Sequence, residues 1–459
     1  MKGRLQLSAA IVAAAAAFTV AACGGSDGDS GGGATKAATD ATSNLSSDPM
    51  TLTFLWFEWP PAQALEELGK EYTKTRPNVT VKVNTVPNPQ WHDAIFTQFA
   101  ARKTNFDLPI LDSQNIGEAV ENGSILDLTD FVKENVDTSQ YDPYFLAAYG
   151  QYPQNTTGEA NPDAKTYGLP LLGDTWSLIW RKDLMGDTAP ATWEDMIAAA
   201  KKCQDENPGM SGLAFHQAGT GDAAAVTYNV VNALYGGELW NQADRKIEGI
   251  VNNAQGQKAM DVLVNQMVPL TPKGSSNWFI DEVNAAISQG KVCVGMQWIA
   301  AMGGLMDPAS SELGETKEEI LEKLAFAPLP PQDTDKVPLG GMGLHVSKYI
   351  PEEKQAEALN FIKWFQTPEA QKKWAELGGV PARNDVLQSP EFLEAQPYNQ
   401  VFTDSVPRLK DFWNLPEYAK LLNVHSTQVN AAISGTEEPK AALDKLASEE
   451  QAILDESGH

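Results

Sequence analysis

Short apolar runs alternate with stretches of helical spacing along most of the chain. Residues 51–56 form a β-prone apolar run, and residues 62–74 place apolar side chains on one face of a helix. Residues 79–83 and 108–112 predict two further strands, and residues 91–102 predict the amphipathic helix between them. Strands separated by helices of about 10–15 residues indicate βαβ units and a mainly parallel sheet.

A second round of alternation begins after residues 141–164, a segment without a clear period. Thr192 is a predicted N-cap, because a hydroxyl there can accept the first free N–H groups of a helix. Residues 326–331 are too rich in proline for a central strand. The remaining predicted strands are 167–172, 176–180, 212–216, 291–298 and 343–347, and the remaining predicted helices are 116–120, 193–203, 223–235, 280–288, 351–365 and 368–378. The pattern predicts an α/β protein with two lobes of similar size, in which the chain returns to the first lobe late.

Length and charge narrow the class of protein. The 459 residues suffice for two or three domains, and a hydrophobic content of 42% is typical of globular chains. The 34 Lys and Arg residues against 60 Asp and Glu residues give a net charge of -26. Such a surface disfavours nucleic acid and anionic lipid headgroups, because both are bound by excess positive charge.

The N-terminus has the pattern of a lipoprotein signal. Lys2 and Arg4 precede an apolar run at residues 7–20, which is too short to span a membrane. The run ends in Val-Ala-Ala before Cys23, which resembles a bacterial lipobox. We therefore expect residues 1–22 to be removed and residues 23–50, rich in Gly, Ser and Asp, to be a lipid anchor and flexible linker. The alternative is an alanine-rich helix with an incidental cysteine.

The other two cysteines, Cys203 and Cys293, form an even pair. A disulfide between them is plausible in an oxidising compartment, and two separate buried thiols are the alternative.

Motifs of catalysis, nucleotide binding and metal binding are missing from the sequence. HExxH, CxxC, GxGxxG and GxxxxGK[ST] do not occur, and the five histidines lack ligand spacing. We therefore expect no metal, no cofactor and no enzyme activity. A glycosidase remains an alternative, since it needs only two positioned carboxyl groups among 60.

Several of the twelve tryptophans lie beside predicted strand ends. Trp56 and Trp59 follow the first strand, and Trp298 ends a later one. Ligands of open α/β sheets bind beyond the carboxyl ends of strands, where an indole can cover the apolar face of a sugar ring. The alternative for each is ordinary core packing, which we prefer for Trp180, Trp193, Trp364 and Trp374.

An ordered set of short motifs resembles the family 1 extracellular solute-binding proteins of carbohydrate ABC importers, the superfamily of maltose-binding protein. Each motif alone is weak, but the set covers nearly all of residues 51–459 in order. The motifs are WFEW at 56–59, DLPILD at 107–112, GSILDLT at 123–129, YGLP at 167–170, WRKDL at 180–184, TWED at 192–195, GKVCVGM at 290–296 and GVPAR at 379–383.

The resemblance implies two α/β lobes, each built on a mostly parallel sheet, with a sugar bound in the cleft between them. Lobe one would comprise residues 51–170 and 340–405, and lobe two residues 171–339 and 406–459, so that Cys203 and Cys293 share a lobe. Carried over position by position, the ligand-binding residues would be Trp56, Glu58, Trp59, Asp112, Gln114, Asp174, Trp176, Trp298, Gly341 and Arg383.

The function implied is capture of a mono- or oligosaccharide or a polyol, and delivery to the permease subunits of an ABC importer. The protein would be a monomer held by lipid on the extracytoplasmic face of the bacterial cell membrane. A secreted lipoprotein glycosidase and a cell-wall scaffold lipoprotein are the two alternatives.

Overall fold

The computed structural model describes residues 45–154 and 161–457. In chain order the strands are Met50–Phe57 (β1), Val79–Val86 (β2), Leu108–Asp112 (β3), Gln151–Tyr152 (β4), Lys165–Thr166 (β5), Gly168–Asp174 (β6), Trp176–Arg181 (β7), Ser211–Ala214 (β8), Val292–Trp298 (β9), Leu324–Pro328 (β10), Val337–Pro338 (β11), Gly340–His345 (β12) and Leu409–Lys410 (β13).

Helices flank these strands and account for most of the remaining regular structure. The α-helices are Pro60–Thr75 (α1), Asn88–Ala100 (α2), Ile116–Glu121 (α3), Thr129–Asn135 (α4), Pro143–Gly150 (α5), Lys182–Met185 (α6), Trp193–Glu206 (α7), Ala223–Leu234 (α8), Ala254–Val262 (α9), Ile280–Ser288 (α10), Lys317–Lys323 (α11), Glu352–Phe365 (α12), Pro368–Glu376 (α13), Asn384–Leu387 (α14), Pro390–Ala395 (α15), Asn399–Ser405 (α16), Tyr418–Ile433 (α17) and Pro439–Ser457 (α18).

The strands form two principal sheets. The first sheet has the order β2-β1-β3-β12-β6, and the second has the order β10-β7-β9-β8. In the first sheet β12 runs against the other strands, and in the second sheet β7 does. Each sheet is therefore mostly parallel, and the predicted α/β class with two lobes is confirmed.

Three stretches of chain join the two sheets, and they lie side by side. The first is Thr175, between β6 and β7, whose Oγ1 donates to the Pro338 carbonyl at 2.7 Å. The second contains β11, which pairs in parallel with β13 of the third stretch. The predicted lobe limits stay a prediction, but β6 continues to Asp174, so residues 171–174 lie in the first sheet and not in the second.

Local sequence explains where the elements begin and what they bury. Helix α1 starts at Pro60, because proline is tolerated in the first helical turn, and it buries Leu65, Leu68 and Tyr72. Thr192 caps α7 as predicted, since its side chain accepts the Asp195 N–H at 3.1 Å. Cys203 on α7 is joined by a disulfide to Cys293 on β9.

The pattern missed some helices. The aromatic segment without a period contains α5, and α17 and α18 at the C-terminal end were not predicted. The proline-rich run at 326–331 contributes to β10, which lies at the edge of the second sheet, where proline is tolerated.

Cys23, the signal peptide at 1–22 and most of the linker at 23–50 lie outside the described residues. Among the described helices, none combines the length and apolar character needed to cross a bilayer.

Candidate functional site

A cavity of about 390 Å³ lies between the two sheets. Its wall combines residues that follow β1 and β3, the start of β12, the end of β9, the loop before α8 and one face of α17. Among the residues that line it are Phe57, Trp59, Trp91, His92, Asp112, Gln114, Asn115, Asp174, Asp222, Phe279, Trp298, Gly341 and Tyr418. The carboxyl ends of strands in both sheets thus meet at one site, as expected for an α/β ligand site.

Aromatic side chains cover one part of the wall. The rings of Phe57 and Trp59 lie 4.7 Å apart, and Trp91 packs edge-on against Phe57 at 5.6 Å. Trp56 packs edge-on against Trp59, with ring centroids 5.3 Å apart. These packed rings give the cavity a rigid apolar surface of the kind that covers the C–H face of a sugar.

Trp298 holds a position between the sheets. Its side chain is 7% exposed, lines the cavity and packs edge-on against Trp176 at 5.9 Å. It also lies against Gly340 of the first sheet, where an added Cβ would come within 2.5 Å of the Trp298 ring. Next to it, Gly341 has φ +103°, and its own Cβ would lie 2.2 Å from the Leu172 carbonyl oxygen. Both glycines therefore permit a close approach that a side chain would prevent.

Carboxyl groups form the polar part of the wall. Asp112 ends β3 opposite Met342, and Asp174 ends β6 opposite Gly340. Asp174 Oδ1 accepts the backbone N–H groups of Thr175 at 2.8 Å and Ala300 at 3.1 Å, and so connects the first sheet to the loop after β9. The carboxylate is 2% exposed.

Two further acids lie nearby. Asp222 precedes α8 in the loop that Ser426 of α17 fixes, since Ser426 Oγ donates to the Gly221 carbonyl at 2.7 Å. Asp411 lies behind the wall, where its Oδ1 accepts Gln114 Nε2 at 2.6 Å.

Burial and mutual repulsion disfavour the charged forms of these acids. Burial, followed by the charges of Asp222, Asp411 and Asp174, raises the pKa of Asp112 well above its usual range. Burial raises the pKa of Asp174 to about 8, although the backbone N–H groups of Ala300, Thr175 and Ile299 favour its carboxylate. Burial also raises the pKa of Asp222 to about 6. The ligand-free site therefore disfavours further negative charge, and a ligand that brings positive charge favours the ionised forms of these acids.

Six of the ten sequence-predicted ligand residues line this cavity. They are Trp59, Asp112, Gln114, Asp174, Trp298 and Gly341. Their direct contact with a ligand stays a prediction.

The other four predicted residues do not line the cavity. Trp56 is fully buried, with Nε1 donating to Met342 Sδ at 2.8 Å, and Trp176 is fully buried between His216 and Trp298. Glu58 is exposed to solvent outside the cavity. Arg383 is buried elsewhere, because its guanidinium is engaged by Asp385 at 2.8 Å and by the Gln366 carbonyl at 2.9 Å.

Several lining residues were missed by sequence reasoning. Trp91 lies in a helix predicted only as amphipathic, and Tyr418 begins a helix that was not predicted at all. Asp222 carried a usable signal, since it follows Gly-Thr-Gly after a strand and immediately precedes a helix. Among the described residues no group of three His, Cys, Asp or Glu side chains is placed to hold a metal ion.

Two curated relatives match long stretches of the chain. An arabinooligosaccharide-binding protein of Bacillus subtilis is 23% identical over 89% of this chain and 93% of its own length. A probable amino-acid ABC transporter periplasmic-binding protein of Sinorhizobium fredii is 26% identical over 68% of this chain and 70% of its own length.

Solved structures share the fold. A solute-binding protein from Agrobacterium radiobacter in complex with ribitol has a TM-score of 0.77 at 23% identity, and covers 88% of this chain and 99% of its own. Maltose-bound MalE3 of T. maritima has a TM-score of 0.76 at 21% identity, and covers 88% of this chain and 100% of its own.

Residues 58–372 match the family described as bacterial extracellular solute-binding protein. Because this match spans more than half of the chain, the family resemblance is confirmed, and the protein belongs to the bacterial extracellular solute-binding proteins.

Proposed function

We propose that this protein captures a sugar or polyol in the cavity between its two sheets and delivers it to an ABC permease. The observation that carries the proposal is the combination, in one interlobe cavity of about 390 Å³, of packed aromatic rings with buried carboxyl and amide groups. Rings cover the C–H faces of a sugar, and the polar groups accept hydrogen bonds from its hydroxyls.

The ligands of similar proteins support this class. The Agrobacterium and T. maritima structures carry ribitol and maltose, and the Bacillus relative is named for arabinooligosaccharides. The Sinorhizobium relative is named for amino acids. An amino acid brings a carboxylate that needs positive partners, and among the described residues no Lys or Arg lines this cavity.

Binding residues from both sheets imply a closure mechanism. Trp298 and Asp222 belong to the second sheet and its loops, whereas Trp59 and Asp112 belong to the first. A ligand that contacts both sets favours the conformation in which they are close, so ligand binding drives closure. The permease would recognise that closed form.

Membrane attachment is part of the proposal. Lipid on Cys23 would hold a monomer on the extracytoplasmic face of the membrane. Cys23→Ser should abolish lipid attachment and release the protein from the membrane, as measured by fractionation and mass spectrometry. Lipidated protein recovered from that variant would contradict the lipobox.

A combined binding and hydrolysis assay tests the function. The purified protein is screened by thermal shift against monosaccharides, oligosaccharides and polyols, and each compound that raises the melting temperature is checked for breakdown by chromatography. We expect stabilisation with the compound recovered intact. Hydrolysis would favour a glycosidase, and no stabilisation by any carbohydrate would contradict sugar capture and favour a scaffold.

A further inference from the structure

The charge of the cavity wall is one-sided. Asp93, Asp112, Asp174 and Asp222 line it, and no Lys or Arg does so among the described residues. His92 is the one basic side chain among those lining residues, and its Nε2 lies 2.9 Å from Glu118 Oε2. Its Nδ1 lies 3.3 Å from Asp93 Oδ1, so its positive charge is balanced by Glu118 and Asp93, and the other three lining acids have no basic partner among those residues.

The wall also offers hydrogen-bond acceptors that the protein leaves free. The Asp112 carboxylate accepts no hydrogen bond from the described residues, and the Asp222 carboxylate has only its own backbone N–H. Asn115 is 3% exposed and lines the cavity, and its Oδ1 has no partner among the described residues. The buried Asn115 Oδ1 costs free energy while it lacks a donor, and the half-buried carboxyl groups of Asp112 and Asp222 are open to further donors, so the three groups together indicate a ligand rich in donors.

We propose that the preferred carbohydrate carries a protonated amine, held by Asp112 and Asp222; this inference rests on the proposed sugar-binding function. An ammonium group has three donors and no acceptor, which matches a wall of free acceptors. It also supplies the positive charge that the lining lacks, and charge-assisted hydrogen bonds are stronger than neutral ones. The indole of Trp59, which lines the same cavity, adds an aromatic face of the kind that attracts cations.

Other charge classes fit this wall less well. A sugar acid would place a carboxylate among like charges, which is repulsive. A neutral sugar can donate its hydroxyls to Asp112 and Asp222, but it brings no positive charge that would favour their ionised forms. The expected order of affinity is therefore amine, then hydroxyl, then carboxylate.

Two matched trios of compounds test that order by calorimetry at pH 7. Glucamine, sorbitol and gluconate differ only at one terminal carbon, which carries an amine in the first, a hydroxyl in the second and is a carboxylate in the third. The second trio consists of 6-amino-6-deoxyglucose, glucose and glucuronate, which differ in the same way at C6 of a sugar ring. In at least one trio we expect the amine to bind at least about tenfold more tightly than the neutral member, and the acid to bind least well.

Three variants locate the preference. Asp112→Asn and Asp222→Asn keep the shape of the site and should each reduce the amine-to-hydroxyl affinity ratio at least about threefold, with the melting temperature showing that the fold is kept. Asp261→Asn removes the same charge from an exposed position on α9 outside the cavity and should leave the ratio unchanged.

Each outcome decides the proposal. Neutral members that bind as tightly as amines in both trios overturn the amine preference and leave sugar capture standing. An amine preference that survives both Asp112→Asn and Asp222→Asn overturns the assignment of these residues. Failure of all six compounds to bind counts against the amine proposal, while binding of any other carbohydrate in the thermal-shift screen would still uphold sugar capture.

Discussion

Replacing Asp174 with asparagine should make the ligand-free protein more stable at neutral pH. Asparagine keeps an Oδ1 that can accept the Thr175 and Ala300 N–H groups, and its amide takes the place of the carboxyl O–H. The substitution therefore removes the ionisable carboxyl group and keeps its hydrogen bonds.

The magnitude follows from the difference in pKa between the folded and unfolded states. Burial raises the pKa of Asp174 to about 8, against about 3.9 for an unfolded chain. Because the folded state holds the proton more tightly, the stabilising effect is complete below the unfolded pKa and is lost as the pH rises toward 8. One proton corresponds to about 1.4 kcal/mol per pH unit, so the loss at pH 7 approaches about 4 kcal/mol.

Urea unfolding of the ligand-free protein at several pH values between 4 and 8 measures this effect. The wild type and Asp174→Asn should be about equally stable at pH 4, and the variant should become progressively more stable toward pH 8. Asp261→Asn is the control, since it makes the same change of side chain at an exposed site outside the cavity. Parallel pH profiles for the wild type and Asp174→Asn would refute the reasoning.

Three other substitutions give expected outcomes. Trp298→Ala should weaken sugar binding roughly thirtyfold or more, because the ring lines the cavity, and should lower the melting temperature, because the ring packs against the first sheet. Unchanged affinity in calorimetry would show that Trp298 does not bind the ligand. Gly341→Ala should cost at least about 1–3 kcal/mol of stability in urea unfolding, since its Cβ has no space beside Leu172 and φ is +103°; a wild-type midpoint would contradict that crowding. Replacing Cys203 and Cys293 together by alanine opens a link of sequence separation 90, for which chain entropy gives about 4–5 kcal/mol. We therefore expect the alanine variant and the reduced wild type to be less stable in urea unfolding than the oxidised wild type. Equal stability of all three would show that the disulfide does not stabilise the fold.

Much of the fold was predictable because periodicity and strand ends are local signals. The run at residues 108–112 was predicted with the limits that β3 has, and Asp112 was placed at its end. The ligand cleft of an α/β sheet lies beyond the carboxyl ends of its strands, so a carboxyl group at the end of a buried strand is expected to face that cleft. The same reasoning placed Trp298 at the cavity, whereas Asp174 was predicted from the family resemblance.

The errors among the predicted site residues have a different physical origin. Trp56 and Trp59 are three residues apart in the same aromatic motif, yet Trp56 points into the core toward Met342, whereas Trp59 lines the cavity. Whether a tryptophan lies in the core or in the cavity wall depends on tertiary packing. A segment of four residues is too short for its hydrophobic pattern to distinguish the two positions. Nothing in the sequence excluded Arg383 from the ligand site. Asp385 lies two residues away, but the sequence does not show that the two side chains form an ion pair.

Helix α17 shows the limit of local patterns more clearly. It supplies Tyr418 and Ser426 to the cavity although it lies far along the chain from the strands that form the rest of the wall. Its contribution follows from the third passage between the sheets, which the family resemblance implied after residue 405 without predicting the helix itself.

Filling the cavity tests sugar capture most directly. Ala419 lines the cavity on α17, and the next residue, Lys420, is exposed to solvent on the same helix. Calorimetric titration with the carbohydrate that most stabilises the wild type should show binding to the wild type and to Lys420→Trp, and no binding to Ala419→Trp, whose indole would occupy the cavity. Wild-type affinity in a folded Ala419→Trp protein would contradict the account, because the ligand would then bind somewhere other than between the two sheets.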